Sequence, residues 1–258
     1  MTGIHTRHWA GDPDRPALAL HCMLASGSYW GAIAKRLDGR VDMQGFDLPG
    51  HGNSDDWQPG ADDPDYHTAA TRIAASFIER PLDLIGHSMG ATIALRIAVA
   101  APEAVRSLTL IEPVLFAAAS DAQQAVRDAE MDRLIASGNT EQATRSFLAT
   151  WGAQGYDQLP ARMQDQMQER IHLVHAAGQT LSHDNANILR PDGLEGIDAP
   201  VLFISGENSP PVIHAIADSL AARLPDVGRA SVPNAGHMLP ITHADEVAGL
   251  INLNLDRA

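Results

Sequence analysis

Only one cysteine, Cys22, stands in the 258-residue chain. No intrachain disulfide can form, so an oxidising compartment is not required. Basic residues are scarce: 18 Lys and Arg face 32 Asp and Glu, a formal charge of −14 at pH 7. That balance argues against nucleic acid or an anionic membrane as a partner and mildly disfavours anionic substrates. The chain shows no basic-then-apolar leader and no apolar run long enough to span a bilayer, so the cytoplasm is the expected location. The 12 histidines are scattered, without a His-Glu-x-x-His pattern or a Cys/His cluster. Neither a metal nor any other cofactor is therefore expected. Internal repeats and low-complexity tracts are also missing. A chain of this length can bury one sizeable core.

What is present centres on Asp83-Leu84-Ile85-Gly86-His87-Ser88-Met89-Gly90-Ala91. It reads as a short apolar strand, a turn with Gly86 and Gly90 around Ser88, and then a helix. Side chains at the two glycine positions would clash in so tight a reversal, and the strained turn holds the Ser88 hydroxyl clear of the sheet. The helix that follows points its first amides at that oxygen, where negative charge is stabilised. Small apolar residues, among them Ala91, Ile93, Ala94, Leu95, Ile97 and Ala98, carry the helix to Pro102, where it must stop. A second apolar strand, Ser107–Ile111, ends at Glu112-Pro113. Strand, turn, helix and strand make one right-handed crossover of a parallel sheet.

Three more motifs follow the order of a known family. Ala17–His21 is a strand ending in histidine, and Asp47-Leu48-Pro49-Gly50-His51-Gly52-Asn53-Ser54 fits a D-x-P-G-x-G-x-S turn. Near the C-terminus lies Asn234-Ala235-Gly236-His237-Met238. With the serine turn, these four stretches resemble the α/β-hydrolases, the fold of esterases, lipases, lactonases and carbon–carbon hydrolases. The resemblance implies an α/β architecture, a mostly parallel central sheet with helices on both faces and an inserted helical cap. Strand signals are nearly missing from Leu115 to Leu194 and return at Pro200–Ser205 and Gly228–Val232. The expected division is a core of residues 1–114 and 195–258 and a cap of residues 115–194. Expected helices include Tyr29–Leu37 and Tyr66–Arg80 in the core, with Asp121–Ser137, Thr140–Trp151 and Leu159–Ala177 in the cap.

The resemblance also distributes roles. Ser88 would be the nucleophile and His237 the base, with His243 a weaker competitor. The family's G-x-x-D turn here reads Gly206-Glu207-Asn208-Ser209, so a serine occupies the aspartate position. Some family members carry the acid one strand earlier, where this chain has Glu112. Glu112 is the expected acid and Glu207 the alternative. The oxyanion hole would use the backbone amides of Met89 and Met23. Cys22 stands where the family usually has glycine and reads as a small packing residue. His87 reads as packing as well, and Asp47, Pro49, Gly50, Gly52 and Ser54 as scaffold of a tight turn. Trp30, Trp57, Phe116, Trp151 and Met238 are candidates to line an apolar substrate pocket.

These residues imply a cofactor-independent hydrolase of a small-molecule ester or related acyl compound, working through an acyl-enzyme. Lactone or carbon–carbon bond hydrolysis on the same triad is an alternative, and a non-catalytic ligand-binding homologue is another. A serine nucleophile argues against dehalogenase and epoxide hydrolase chemistry, which needs a carboxylate. The sequence leaves a homodimer open.

Overall fold

A computed structural model describes residues 3–119 and 122–258. The chain runs β1 (Thr6–Trp9), β2 (Pro16–Leu20), α1 (Trp30–Leu37), β3 (Asp42–Phe46), α2 (Tyr66–Ala75), β4 (Leu82–His87), α3 (Met89–Ala100) and β5 (Val105–Ile111). Three helices follow: α4 (Ala122–Ala136), α5 (Thr140–Trp151) and α6 (Ala161–His183). The chain then returns to the sheet with β6 (Val201–Gly206), α7 (Pro211–Ala221), β7 (Val227–Val232), α8 (Leu239–Thr242) and α9 (Ala244–Leu255). Among the described residues the strands form one seven-stranded sheet in the order β1-β3-β2-β4-β5-β6-β7. Only β1 pairs antiparallel, with β3; the other pairs are parallel.

Strand periodicity sorts the sheet's side chains into two cores. Leu18, Leu20, Leu84, Leu108, Leu110 and Phe203 face one way, against α2, α3 and α7. Ala17, Ala19, Ile85, Ile111, Leu202 and Ile204 face the other, against α1, α8 and α9. Helices on both faces explain why the central strands read as nearly unbroken apolar runs. Trp30 belongs to the second core and is fully buried there, so the expectation that it lines a substrate pocket is overturned. It opens α1 and points its ring at the sheet, where burial of a large aromatic contributes most.

Two element boundaries depart from the sequence reading. Helix α2 ends at Ala75, short of Arg80, because the chain tightens into a turn in which the Ser76 hydroxyl donates to the Ile73 carbonyl at 2.6 Å. Phe77 then leaves the helical path to stack on Phe46, with ring centroids 5.1 Å apart. Helix α6 runs on past Ala177 to His183. The expected helix at Asp121–Ser137 is found from Ala122 to Ala136; its expected first residue lies outside the described residues. Helix α7 had no counterpart among the expected elements. Pro210 and Pro211 look like breakers, yet proline is tolerated in a first helical turn, where its missing N–H would have no partner.

The turn after β3 is held by the buried carboxylate of Asp47. It accepts the amides of Gly27 at 2.7 Å and Asn53 at 2.9 Å and pairs with Arg7 at 3.3 Å. Burial alone would raise its pKa, but these amide donors, with Arg7, outweigh it and leave the carboxyl below its ordinary range.

Four histidines, His21, His51, His67 and His87, are buried in the neutral form. Burial pushes His21 down to about 4, and His51 and His67 to about 3. His67, on α2, accepts from Arg96 on α3 at 3.0 Å, and its other ring nitrogen has no partner. An unfolded histidine titrates near 6.5, so below that pH the unfolded chain binds protons that the folded chain refuses. Stability should therefore be full above pH 6.5 and fall steadily toward pH 4, each histidine adding about 1.4 kcal/mol per pH unit to the slope. Thermal unfolding measured from pH 8 to 4 checks this, and His67→Gln should flatten the acid limb.

Candidate active site

The turn between β4 and α3 places Ser88 with φ of 56° and ψ of −117°, a conformation that non-glycine residues hold only under restraint. The restraint is visible: the Ser88 amide donates to the Ile111 carbonyl at 2.8 Å, and the Ser88 carbonyl accepts from Ala91 and Thr92. The flanking glycines are there for lack of room. A Cβ on Gly86 would lie 2.4 Å from the Gly90 carbonyl oxygen, and one on Gly90 would lie 2.2 Å from that of Leu20.

His237 approaches from the loop between β7 and α8. Its Nε2 is 3.0 Å from Ser88 Oγ and its Nδ1 is 2.9 Å from Glu112 Oε2. The carboxylate only accepts, so Nδ1 carries the proton and Nε2 is free to accept the serine hydroxyl. Glu112 follows β5 with φ of 52° and is fully buried. Its second oxygen, Oε1, accepts the Gly206 amide at 2.7 Å and the Ser209 hydroxyl at 2.8 Å. The serine that stands in the family's aspartate position is thus a donor to the carboxylate on the neighbouring strand. Hydroxyl, imidazole and carboxylate form one continuous hydrogen-bonded line, an arrangement able to take a proton from the hydroxyl and stabilise the resulting imidazolium.

Glu207 is elsewhere. It is exposed, and its Oε2 accepts the Asn234 amide at 2.9 Å, bracing the base of the histidine loop without reaching the imidazole. Residue 207 lies just beyond the C-terminal end of β6, and its side chain turns outward to the loop backbone. His243 bonds Thr242 at 2.8 Å at the start of α9 and does not join the line.

The loop after β2 carries the second group of amides. Cys22 is buried and does not take a positive φ; the left-handed residue of this loop is Leu24, with φ of 58°. A cysteine therefore fits the glycine position without backbone strain. Two neutral histidines pin the loop. His21 donates from Nδ1 to the Cys22 carbonyl at 2.7 Å and accepts the Leu48 amide at Nε2 at 2.8 Å. His51 accepts the Leu24 amide at 3.0 Å. Met23, between these anchored neighbours, is buried beside Ser88 on the wall of the cavity. Met89 opens α3, where a helical amide has no partner within the helix.

A cavity of about 440 Å³ opens above Ser88 and His237. Its near wall includes Met23, Val114, Phe116 and Trp151, and its far wall is built from α4 and α6. The Trp151 ring meets that of His237 edge-on, with centroids 4.8 Å apart. Of the five pocket candidates, Phe116 and Trp151 line this space. Met238 follows the histidine but is not on the wall, because α8 begins at the next residue and carries the chain away. Trp57 packs edge-on against Tyr66 instead.

The profile of the alpha/beta hydrolase family matches residues 17–250. The chain belongs to that family. Among related sequences, a pimeloyl-[acyl-carrier protein] methyl ester esterase of Methylococcus capsulatus is 29% identical over 88% of this chain and 89% of its own length. An N-formylmaleamate deformylase of Pseudomonas putida is 29% identical over 82% of this chain and 77% of its own. Among solved structures, the enol-lactonase of Burkholderia xenovorans LB400 superposes with a TM-score of 0.73 at 18% identity, covering 99% of this chain and 97% of that one. The alpha/beta hydrolase MGS-M2, from a Medee basin deep-sea metagenome, superposes with a TM-score of 0.78 at 17% identity, covering 100% and 95%. At that identity the likeness is one of fold.

Burial pushes the Cys22 thiol of this alpha/beta hydrolase up to about 12, so it stays protonated at neutral pH. The folded protein should show no reaction with a disulfide reagent such as DTNB at pH 8, and one thiol per chain should appear on unfolding in urea.

Proposed function

We propose that this chain is a cofactor-independent serine hydrolase that cleaves a neutral, moderately apolar carboxylic ester or related acyl compound. The supporting observation is the unbroken line Ser88–His237–Glu112, with spacings of 3.0 and 2.9 Å, opening onto the cavity. In this reading His237 takes the hydroxyl proton as Ser88 Oγ attacks the carbonyl carbon, and Glu112 stabilises the imidazolium. The amides of Met23 and Met89 hold the oxyanion of the tetrahedral intermediate. His237 then gives its proton to the leaving alcohol, and an acyl-enzyme remains on Ser88. Water, activated by the same imidazole, attacks the acyl carbon and releases the acid.

Residues 115–194 act in this reading as a cap on a core of residues 1–114 and 195–258, with Phe116 and Trp151 against the substrate. Water excluded beneath the cap makes the oxyanion contacts stronger. The charged groups of the far wall already have hydrogen-bond partners within the wall. Arg127 donates to Gln124 Oε1 at 2.9 Å, Asp128 accepts from Gln124 and from Ser182 at 2.7 Å each, and Asp132 pairs with His175 at 2.8 Å. Such a wall favours an uncharged substrate with a hydrogen-bonding end. The related esterase and deformylase fit attack at a carbonyl. No described helix is long and apolar enough to cross a membrane, and the cytoplasm is the proposed location.

A fluorophosphonate should label the wild-type protein at Ser88, read by peptide mass mapping, and Ser88→Ala should not label. Absence of labelling on folded protein, with a known esterase reacting alongside, would turn the reading to a ligand-binding homologue. Glu112→Gln should lower kcat by about 10²–10⁴-fold, while Glu207→Gln should stay near wild type. The reverse pattern would move the acid to Glu207.

A further inference from the structure

His87, one residue before the nucleophile, is fully buried and is not part of the Ser88–His237–Glu112 line. Its two ring nitrogens nevertheless connect both loops of the site. Nε2 lies 2.9 Å from the backbone carbonyl oxygen of His237. Nδ1 lies 3.0 Å from the hydroxyl of Tyr29, which ends the short 3-10 turn before α1. The same hydroxyl oxygen is 3.3 Å from the backbone nitrogen of Cys22, in the loop after β2.

Only one assignment of protons satisfies the chain. The His237 carbonyl can only accept, so His87 carries its proton on Nε2. The ring is neutral, because burial and the neighbouring His237 hold its pKa well below the ordinary value. Nδ1 is then bare and must accept, so the Tyr29 hydroxyl donates to it. The Tyr29 oxygen is left to accept the Cys22 amide. Every group in the series Cys22 N–H, Tyr29 O–H, His87 and His237 C=O has a single role. Among the described residues no loop or turn amide donates to the His237 carbonyl, and His87 is its side-chain hydrogen-bond partner.

We infer that Tyr29 and His87 are positioning residues that lock the oxyanion loop and the histidine loop into one geometry, an inference that rests on the serine hydrolase reading above. The Cys22 amide is drawn toward Tyr29 and the Leu24 amide is tied to His51. Between them the Met23 amide is left to face the oxyanion. At the other end, the peptide that carries the imidazole is held by its carbonyl. The transition state needs the amide and the imidazole placed together to within about 0.5 Å, and each loop alone is attached to a different edge of the site. Cutting the series frees both ends at once.

The test uses steady-state hydrolysis of a short p-nitrophenyl ester together with the rate of fluorophosphonate labelling. Tyr29→Phe deletes one hydroxyl. It should lower kcat and the labelling rate about tenfold with KM within about twofold of wild type, because the contact serves the transition state and not substrate binding. His87→Gln places an amide N–H and C=O where the ring nitrogens were and should stay within about threefold of wild type, whereas His87→Leu should fall at least as far as Tyr29→Phe. The Tyr29→Phe/His87→Leu pair should be no slower than His87→Leu alone, since both break one series. Wild-type rates in Tyr29→Phe, equal rates in His87→Gln and His87→Leu, or multiplied losses in the pair would each overturn the inference. If those results come with normal wild-type labelling, only the relay falls. If the wild-type protein fails to label, the hydrolase reading falls and takes the relay's catalytic role with it.

Discussion

The carboxylate of Glu112 is the point on which separate parts of the chain converge. It projects from the end of β5, takes an amide from the end of β6 and a hydroxyl from Ser209, and offers its remaining oxygen to the imidazole of the histidine loop. A fully buried charge with fewer partners would be expensive to hold. Here three donors surround it, and the strained backbone at residue 112 is held by its own amide, which donates to the Ile204 carbonyl at 3.0 Å. The histidine loop has its orientation because this carboxylate is where it is. Ser88, whose amide is tied to the last residue of the same strand, shares that reference frame.

A second theme is the use of histidine as a neutral building block. His21, His51 and His87 each donate to a carbonyl at one nitrogen and accept at the other. An imidazole can do this where an amide-bearing side chain would be floppier and a charged one would not tolerate burial. Their carbonyl and amide partners include Cys22, Leu24, Leu48 and His237, so the loop after β2 and the histidine loop are braced in part by side chains. Three of the twelve histidines serve this bracing.

Much of the arrangement was legible in the sequence because it is carried by local signals. The glycine–serine turn, the alternating strand residues and the long strand-poor stretch between Leu115 and Leu194 each have a physical cause that acts over a few residues. The position of Glu112 was implied by the family resemblance, and parallel topology brings the residue after β5 to the same edge as the serine. What could not be read depends on contacts distant in sequence. Trp30 looks the same in sequence whether it lines a pocket or fills a core, and only the packing of α1 on the sheet decides. Met238 and Glu207 sit within a residue or two of functional positions, and the direction of their side chains is set by the helix or strand end beside them. His87 reads as packing because its partners, Tyr29 and the backbone of His237, lie 58 and 150 residues away.

Leu24 joins the helices α4, α5 and α6 to the sheet in another way. Its backbone belongs to the loop after β2, while its side chain packs with Leu134, Ala143 and Ile171 in a small cluster formed by α4, α5 and α6. The inserted helices therefore rest on a residue whose amide is tied to His51. Any outward swing of those helices has to unseat that leucine or drag its loop along. Leu24 is thus one of the places where a displacement of α4, α5 and α6 would be felt by the loop after β2.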